Sequence, residues 1–342
     1  MSTRGGRLVP GLALHILIGA MGLGAIVGSG GGGGALGFPD LSCLNTNSCP
    51  GGIGNTTFPF AQIFPGRVTT QVGGTVSFTV ATNVEQASYQ WCRQPASGAA
   101  CTPIAGATQA TYTLTGANLN DDGATFSVAV NGSNGSAQGY CQLAVSSMPG
   151  VIYQDGDFLD TDWAVNAVAV PPQGGPTASA TRAASGGNPG AFRTADFVLP
   201  LVPSSVRIFY GARSAVYDPV TLGAVYRMDF AEDCISRSST GLLPYTAPLI
   251  EQSGRRFIAS TSAIYCGATH WSTVRRSSLG ADDFEFFDGP ACAAGEPCPN
   301  FSANGAPIRL GLVGGATLSN GLPPPVQTAH GFDNWKVTVW RR

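Results

Sequence analysis

The stretch YQWCRQ, residues 89–94, decides how the first half of the chain folds. Successive side chains of a β-strand point to opposite faces, so Tyr89 and Trp91 share one face and Cys92 points to the other. Tryptophan side chains are highly buried on average. We therefore expect Trp91 to lie in a core between two sheets, with Cys92 on the opposite side of its strand.

Neighbouring stretches within residues 61–147 also predict short strands. Residues 75–82, TVSFTVAT, alternate apolar and polar side chains, and residues 110–114, ATYTL, are another candidate strand. Residues 121–145 predict two strands joined by an Asn-Gly turn, because Asn-Gly suits the positive φ angles of a tight hairpin. The segment is therefore predicted to be an all-β domain.

The composition favours an all-β chain with many turns. The 342 residues include 47 glycines and 24 prolines, and only 11% are charged, against about a quarter in an average domain. No amphipathic helical stretch of useful length is present in the sequence. The formal net charge of -2 provides no basic surface, so we expect no nucleic-acid partner.

The N-terminus predicts export to the periplasm, the cell surface or the medium. Residues 1–29 place Arg4 and Arg7 ahead of an apolar run, as in a secretory signal peptide. The run is also long enough for an uncleaved anchor, which would be the only contact with a membrane. A bacterial lipoprotein signal would need a cysteine where Ser29 stands. Residues 30–60 are Gly-rich and predict a flexible linker.

Nine cysteines agree with an oxidising compartment, where disulfides persist. The sequence has no CxxC or Cys/His zinc spacing, so we expect no zinc site. The odd number leaves one thiol over, and Cys141 is the candidate. Residues 43–52 could close a loop through a disulfide or could be a plain spacer. Spacing does not fix the pairs, but the plausible ones are Cys92–Cys101, Cys234–Cys266, Cys292–Cys298 and Cys43–Cys49.

Residues 61–147 resemble an immunoglobulin-like domain. Residues 122–128, DGATFSV, match the family pattern D-x-A-x-Y-x-C, with Phe for Tyr and Val128 for the cysteine. Val80, eleven residues before Trp91, stands where the other family cysteine lies. The resemblance implies a sandwich in which a contact between two valines over the tryptophan replaces the inter-sheet disulfide. The predicted core residues are Val80, Trp91, Phe126 and Val128.

Residues 150–342 form the second predicted domain, after the boundary segment SSMPG at 146–150. A long series of short strand-like runs is typical of a larger two-sheet jelly roll. The runs are 204–213, 222–231, 255–266, 271–279 and 307–315.

This second domain resembles the concanavalin A-like, laminin G-like jelly rolls of bacterial exported proteins. The likeness is carried by YQDGDFLDTDW at 153–163, ANGAPIRLG at 303–311 and GFDNW at 331–335. Galactose-binding-type jelly rolls, which also start with GDF and end with DN-V-V, are the close alternative. The resemblance implies that the first and last strands of the domain lie side by side.

That arrangement would bring Asp155 and Asp157 close to Asp333. Carboxylate oxygens are the hard ligands that calcium prefers, and the resemblance implies a structural calcium at this junction. The alternative is a turn in which the aspartates accept hydrogen bonds from nearby backbone amides. The sequence leaves both interpretations open.

Two further groups of residues suggest function. His270 and Trp271 could bind a sugar, since an exposed aromatic ring stacks on a pyranose face; the alternative is a buried tryptophan at the start of a strand. Asp283 and Glu285, in DDFEFFD at 282–288, could be the carboxylate pair of a glycosidase. The E-x-D-x-E strand of concanavalin A-like glycosidases is missing from the sequence, however, so a solvated loop is the alternative.

We therefore expect an exported, non-enzymatic protein with two all-β domains. The C-terminal jelly roll is predicted to recognise a glycan or another cell-surface ligand in a lectin-like manner. A structural or assembly protein of the cell envelope, with protein–protein contacts, is the first alternative. A glycoside hydrolase is the second. Fold alone does not fix function, so the structure of the site has to separate these classes.

Overall fold

The structure is a computed structural model, and it describes residues 58–170, 175–200, 202–238, 240–259, 264–267, 270–319 and 323–342. The predicted signal segment, most of the predicted linker and the Cys43–Cys49 pair lie outside these ranges. The described residues are mainly β-strands, with one short α-helix at Pro219–Leu222 and 3₁₀ turns at Leu119–Asp121 and Ala281–Asp283. None of the helices in these ranges is long and apolar enough to cross a membrane.

The first half of the described chain is an immunoglobulin-like sandwich. One sheet has the strand order β1-β3-β6, and the other has the order β2-β8-β7-β4-β5, in which β2 runs parallel to β8. The all-β prediction and the immunoglobulin-like sandwich are confirmed. The strands are β1 (Ala61–Phe64), β2 (Arg67–Gln71), β3 (Val76–Thr82), β4 (Ser88–Gln94), β5 (Thr102–Pro103), β6 (Thr111–Leu114), β7 (Thr125–Gly132) and β8 (Gly135–Ser146).

Trp91 occupies the centre of this sandwich, as the strand alternation predicts. Its side chain is fully buried, and its indole Nε1 donates to the carbonyl of Gln109 at 2.8 Å. The ring of Phe78 lies 6.4 Å from that of Trp91 and stacks at 5.2 Å on that of Phe126. Val80 and Val128 belong to the same buried cluster. Apolar packing therefore occupies the place of the family disulfide.

The hairpin between β7 and β8 is present, but it does not turn on an Asn-Gly pair as the sequence predicts. Gly132 pairs with Gly135, so Ser133 and Asn134 form the turn instead of an Asn-Gly pair. The side chain of Asn134 accepts from the backbone N–H of Glu85 at 2.9 Å and donates to the carbonyl of Asn83 at 3.1 Å. These bonds to the neighbouring loop fix the register of the turn.

The second half of the described chain is a larger two-sheet sandwich. The seven-stranded sheet has the order β10-β13-β20-β15-β16-β19, with β17 paired to β15. The six-stranded sheet has the order β11-β12-β21-β14-β18, with β9 paired to β21. The strands are β9 (Val151–Asp155), β10 (Trp163–Val170), β11 (Thr177–Gly187), β12 (Gly190–Leu199), β13 (Ser204–Tyr217), β14 (Val225–Ser236), β15 (Tyr245–Gln252), β16 (Arg255–Ile258), β17 (Ile264–Tyr265), β18 (Ser272–Leu279), β19 (Glu285–Asp288), β20 (Ile308–Leu318) and β21 (Val326–Arg341).

The first and last strands of this unit lie side by side, as predicted. Asp155 at the end of β9 is in register with Trp335 on β21. The predicted single run at 255–266 is wrong, because it contains two strands, β16 and β17, that both pair with β15. The predicted runs also miss β11, whose small and polar side chains lack a clear apolar alternation, and β12, although Ala195, Phe197 and Leu199 alternate on its buried face.

Polar contacts join the two sandwiches. Arg67 on β2 forms an ion pair with Asp283, at 2.9 Å and 3.2 Å for its two terminal nitrogens. Asp122, from the immunoglobulin-like motif, accepts hydrogen bonds from the hydroxyl of Tyr226 and from Arg342. The Arg342 guanidinium lies 4.0 Å from the centre of the Tyr226 ring. Asp122 and Asp283 are therefore engaged in structural contacts.

Candidate functional site

The outer face of the seven-stranded sheet is concave. Phe209 on β13 and Phe287 on β19 are separated by three intervening strands, yet their ring centres lie 5.0 Å apart. Four strand spacings span roughly 19 Å in a flat sheet, which two phenylalanine side chains are too short to bridge. The sheet must therefore curl so that β19 folds over this outer face.

A row of alternating charges crosses one end of the concave face. Arg309, Glu251, Arg256 and Asp288 lie directly opposite one another on β20, β15, β16 and β19. Glu251 accepts from Arg309 Nη1 at 3.1 Å and from Arg256 Nε at 3.0 Å. Arg256 Nη1 also donates to Asp288 at 3.1 Å. We name these four residues the charge ladder, and each of its charges has a partner of opposite sign.

The charge ladder borders a groove of about 660 Å³. Gly211 lies beneath the charge ladder, and a Cβ atom at this position would come within 3.3 Å of the side chains of Glu251 and Arg309. The carbonyl, amide and guanidinium groups along its walls can donate and accept hydrogen bonds. The groove is lined mainly by Ala164, Val165, Asn166, Val216, Arg255 and the four ladder residues.

The middle of the concave face is apolar and covered. Phe209, Leu249 and Val313 form a small cluster that is almost fully buried, although it lies on the side of the sheet away from the main core. The Arg256 guanidinium covers the Phe209 ring at 4.9 Å, and Phe287 packs against the same ring. The two ends of the face are therefore separated by a closed apolar centre.

Two tyrosines form the other end of the concave face. Tyr245 on β15 pairs with Tyr265 on β17, and their rings meet edge to face at 6.4 Å. The Tyr245 ring lies over Gly315, where an added Cβ atom would be 2.5 Å from the ring. The Tyr245 hydroxyl accepts a hydrogen bond from Arg207 Nε at 2.7 Å. Burial raises the pKa of Tyr245, although the neighbouring Arg207 lowers it, so the phenol is neutral at physiological pH.

The predicted sugar-binding pair, His270 and Trp271, lies elsewhere. Both precede β18 at the edge of the six-stranded sheet, away from the concave face. Trp271 is half-buried, packs edge-on against Phe192 at 5.3 Å, and donates through Nε1 to the carbonyl of Gly186 at 3.2 Å. His270 is exposed beside it. The geometry of Trp271 favours a packing role over a stacking platform.

The predicted calcium junction has the geometry of a turn. Asp155 Oδ1 accepts from the backbone N–H groups of Asp157 and Phe158, and Asp155 Oδ2 accepts from the Trp163 indole at 2.6 Å. Asp333 is fully buried and accepts from the backbone N–H of Asn188 and its own neighbour.

Electrostatics at this junction agree with that geometry. Burial raises the pKa of Asp333, the backbone hydrogen bonds lower it, and the nearby carboxylates of Asp233 and Asp155 raise it further. Among the residues that the structure describes, no group of three or more His, Cys, Asp or Glu side chains is placed to hold a metal ion. Asp155 and Asp333 are thus brought to one junction, but their oxygens already accept from protein donors, and Asp157 is exposed beside them.

The two carboxylates considered for hydrolysis do not share a strand. Asp283 ends the 3₁₀ turn Ala281–Asp283, whereas Glu285 begins β19 and is exposed. Although burial raises the pKa of Asp283, hydrogen bonds from Arg67 and from the backbone of Gly280 hold it below its usual range. Asp283 is therefore an ionised partner of Arg67, and the geometry does not present the two carboxylates as a pair.

Three of the predicted disulfides are present, Cys92–Cys101, Cys234–Cys266 and Cys292–Cys298. Cys234 and Cys266 join β14 of the six-stranded sheet to the residue after β17 of the seven-stranded sheet. Cys141 is a free, buried thiol, and burial raises its pKa to about 12. These disulfides are consistent with an oxidising, extracytoplasmic location.

Sequence reasoning missed the charge ladder, although one signal for part of it exists. Ser253 and Gly254 both have positive φ angles of 54° and 72°, as in a tight hairpin turn. A Ser-Gly turn there places Glu251 opposite Arg256. The pairing of Arg309 and Asp288 with this hairpin depends on strands that are distant in sequence, and it leaves no local pattern.

Comparison with known proteins adds little to this picture. No protein-family model matches the chain, and neither does any curated protein sequence. Solved structures of the N-terminal four Ig domains of Dscam1 match a quarter of the chain: isoform 6.9 at 18% identity and a TM-score of 0.21, and isoforms 8.4 and 9.44 at 19% and 0.22. The match covers 20% of each of those chains, and the immunoglobulin-like assignment rests on the strand order instead.

Proposed function

We propose that this chain is an exported, non-enzymatic binding protein whose C-terminal sandwich, a concanavalin A-like jelly roll, recognises a glycan on its concave face. The observation that carries the proposal is the charge ladder beside the groove. Sites that bind small polar ligands are concave and hold a few polar groups in fixed positions. The ladder supplies such groups, since four adjacent strands hold its side chains.

A polyhydroxylated ligand fits this chemistry. Each sugar hydroxyl both donates and accepts a hydrogen bond, and the ladder alternates guanidinium donors with carboxylate acceptors. Because the ladder contains two cations and two anions in mutual contact, it presents no net charge that would favour a polyanion such as nucleic acid.

The arrangement also favours binding over hydrolysis. A glycosidase of the usual kind needs one carboxylic acid to give up a proton and a second carboxylate as base or nucleophile. Glu251 is held by two arginines, and Asp288 is held by Arg256. Both carboxylates of the ladder are therefore engaged in ion pairs with arginines of the protein.

A glycan array probed with the full exported chain tests the proposal. Arg309→Gln removes an exposed part of the ladder, because the Arg309 side chain is 43% exposed and ends at Glu251. We expect binding of wild-type protein and a loss of binding for this variant. The matched control is Arg275→Gln, which changes an exposed arginine on β18 of the other sheet and is expected to bind normally.

A blank array with wild-type protein would contradict glycan recognition. Sedimentation of the same sample would then test the alternative, a structural or assembly protein of the cell envelope that contacts a surface protein or itself. Equal loss of binding in both arginine variants would mean that the concave face is not the site.

A further inference from the structure

Tyr265 is an exposed aromatic side chain that the fold holds firmly in place. It is 64% exposed and lies on β17, a strand of only two residues. A single exposed apolar side chain is ordinary on a protein surface, but tyrosine is enriched at interfaces because one end of its ring is apolar and the other polar.

A disulfide anchors this strand to the opposite sheet. Cys266 follows Tyr265 directly, is buried, and is bonded to Cys234 on β14 of the six-stranded sheet. The backbone N–H of Cys266 also donates to the carbonyl of Pro244, next to Tyr245. The Cys234–Cys266 disulfide thereby holds β17 in position and leaves the Tyr265 ring exposed.

Tyr245 and Arg207 brace the exposed ring from below. Tyr265 leans edge-on against Tyr245, whose hydroxyl is held by Arg207. The Arg207 guanidinium lies 5.0 Å from the centre of the Phe287 ring, so it is engaged with the surface of the sheet. We name Tyr265, Tyr245 and Arg207 the tyrosine site.

The tyrosine site and the charge ladder share one strand and one face. Tyr245 and Glu251 are six residues apart on β15, and even spacing places both on the concave side. At about 3.4 Å per residue the two sites are roughly 20 Å apart. Since the apolar centre between them is closed by Phe287, a small ligand reaches one site at a time.

We infer that the tyrosine site is a second contact for an uncharged glycan chain long enough to reach from the charge ladder to Tyr265. This inference rests on the proposed function and adds the length and the charge class of its ligand. The ladder supports an uncharged partner, because all four of its charges are already compensated. A sugar ring of the distant part of the chain stacks on the exposed face of Tyr265, and the Cys234–Cys266 disulfide preorganises that contact.

The inference is tested with linear glucose oligomers from the dimer to the octamer, in several linkages. Oligomers of uronic acids serve as the charged counterpart. We expect wild-type affinity to rise with length until both sites are reached. Tyr265→Ala should weaken binding of the long oligomers roughly tenfold, as the loss of one stacking contact would, and leave the short ones unchanged. Cys234→Ala combined with Cys266→Ala should weaken the long oligomers alone in the same way.

The matched control is Tyr140→Ala, since Tyr140 is an equally exposed tyrosine, at 61%, on β8 of the immunoglobulin-like sandwich. An unchanged melting temperature of Tyr265→Ala shows that the fold is intact. Length-independent binding that Tyr265→Ala does not alter would overturn the inference and leave the proposed function standing. Preference for the uronic acids would overturn the uncharged class, and no binding of any glycan would defeat both proposals.

Discussion

The two sandwiches of this chain are built on the same principle but have different cores. The smaller sandwich packs around Trp91, Phe78 and Phe126, and its interior is almost wholly apolar. The larger sandwich buries ionisable and polar side chains, including Glu232 and His330. In the described part of the chain, buried side-chain atoms without a hydrogen-bond partner belong mostly to the larger sandwich: Arg193, Tyr210, Arg227, Glu232, Arg309, His330 and Trp335, against Thr69 in the smaller one.

The difference separates two ways of stabilising a β-sandwich. Apolar packing depends little on pH, because apolar side chains do not titrate. A buried carboxyl or imidazole instead links folding to protonation. The smaller unit has apolar contacts between its two sheets, whereas the larger one has a disulfide across its two sheets. The unfolding of the two units should therefore respond to different variables.

Trp91→Ala has the largest expected effect on this comparison. Removing a fully buried tryptophan leaves a large cavity and also ends the hydrogen bond to Gln109, so we expect a loss of about 3–5 kcal/mol in the free energy of unfolding. Calorimetry should show that the transition of the smaller sandwich moves to lower temperature while that of the larger one stays. Trp271→Ala, at a half-buried position, is the control and should cost less. Equal movement of both transitions would show that the units do not unfold separately.

Removal of the disulfides has the next largest expected effect on stability, and each of the two units contains a disulfide for the comparison. Cys234 and Cys266 are 32 residues apart, whereas Cys92 and Cys101 are 9 apart. Loop-closure entropy predicts about 4 kcal/mol for the longer loop and about 2.5 kcal/mol for the shorter one. Alanine pairs at each disulfide, followed by urea unfolding, measure both values. A larger loss at 92–101 would mean that strain or packing, and not loop length, decides the contribution.

The pH dependence of stability should arise in the larger sandwich. Burial raises the pKa of Glu232 to about 7, from an ordinary value near 4.5. The hydrogen bond from the Thr246 hydroxyl and the charge of Arg276 lower this pKa, whereas the charge of Asp233 raises it. The unfolded carboxyl loses its proton first as pH rises, so Glu232 makes the free energy of unfolding fall between about pH 4.5 and 7, by about 3 kcal/mol in all. Glu232→Gln should remove this contribution, which urea titrations of the variant and the wild type at several pH values measure.

His330 provides the matched variant with the opposite sign. Burial lowers its pKa to about 4, so the folded chain holds the imidazole neutral while the unfolded chain protonates it below about pH 6.5. Its contribution is therefore complete above pH 6.5 and is lost as pH falls towards 4. Between about pH 4.5 and 6.5 the two contributions have opposite slopes and offset each other, so stability should rise with pH in Glu232→Gln and fall with pH in His330→Gln. Identical pH profiles for the two variants would contradict the assignment of these groups.

Some of this comparison follows from the sequence, and some does not. Strand alternation places Trp91 and its neighbours correctly, because a period of two is a local signal. Glu232 and the charge ladder carry no such signal, since their burial or pairing depends on which distant strands meet. For His270 and Trp271 the residue types suggest sugar binding, but the sequence does not show that Trp271 packs on Phe192, which lies far away along the chain.

Metal chelation has the smallest expected effect, namely none. Both oxygens of Asp155 accept hydrogen bonds from protein donors, and the buried Asp333 accepts from two backbone N–H groups, so these oxygens are satisfied without a cation. The melting temperature of the larger sandwich should therefore be the same in calcium and in excess chelator. Asp155→Asn is the matched variant: it keeps an acceptor for the local amides but turns a donor towards the Trp163 indole, so it is expected to lose the same amount of stability in both buffers. A chelator-dependent fall in melting temperature that Asp155→Asn abolishes would restore the calcium interpretation of this junction, because only a bound cation makes stability depend on that carboxylate charge and on free calcium together.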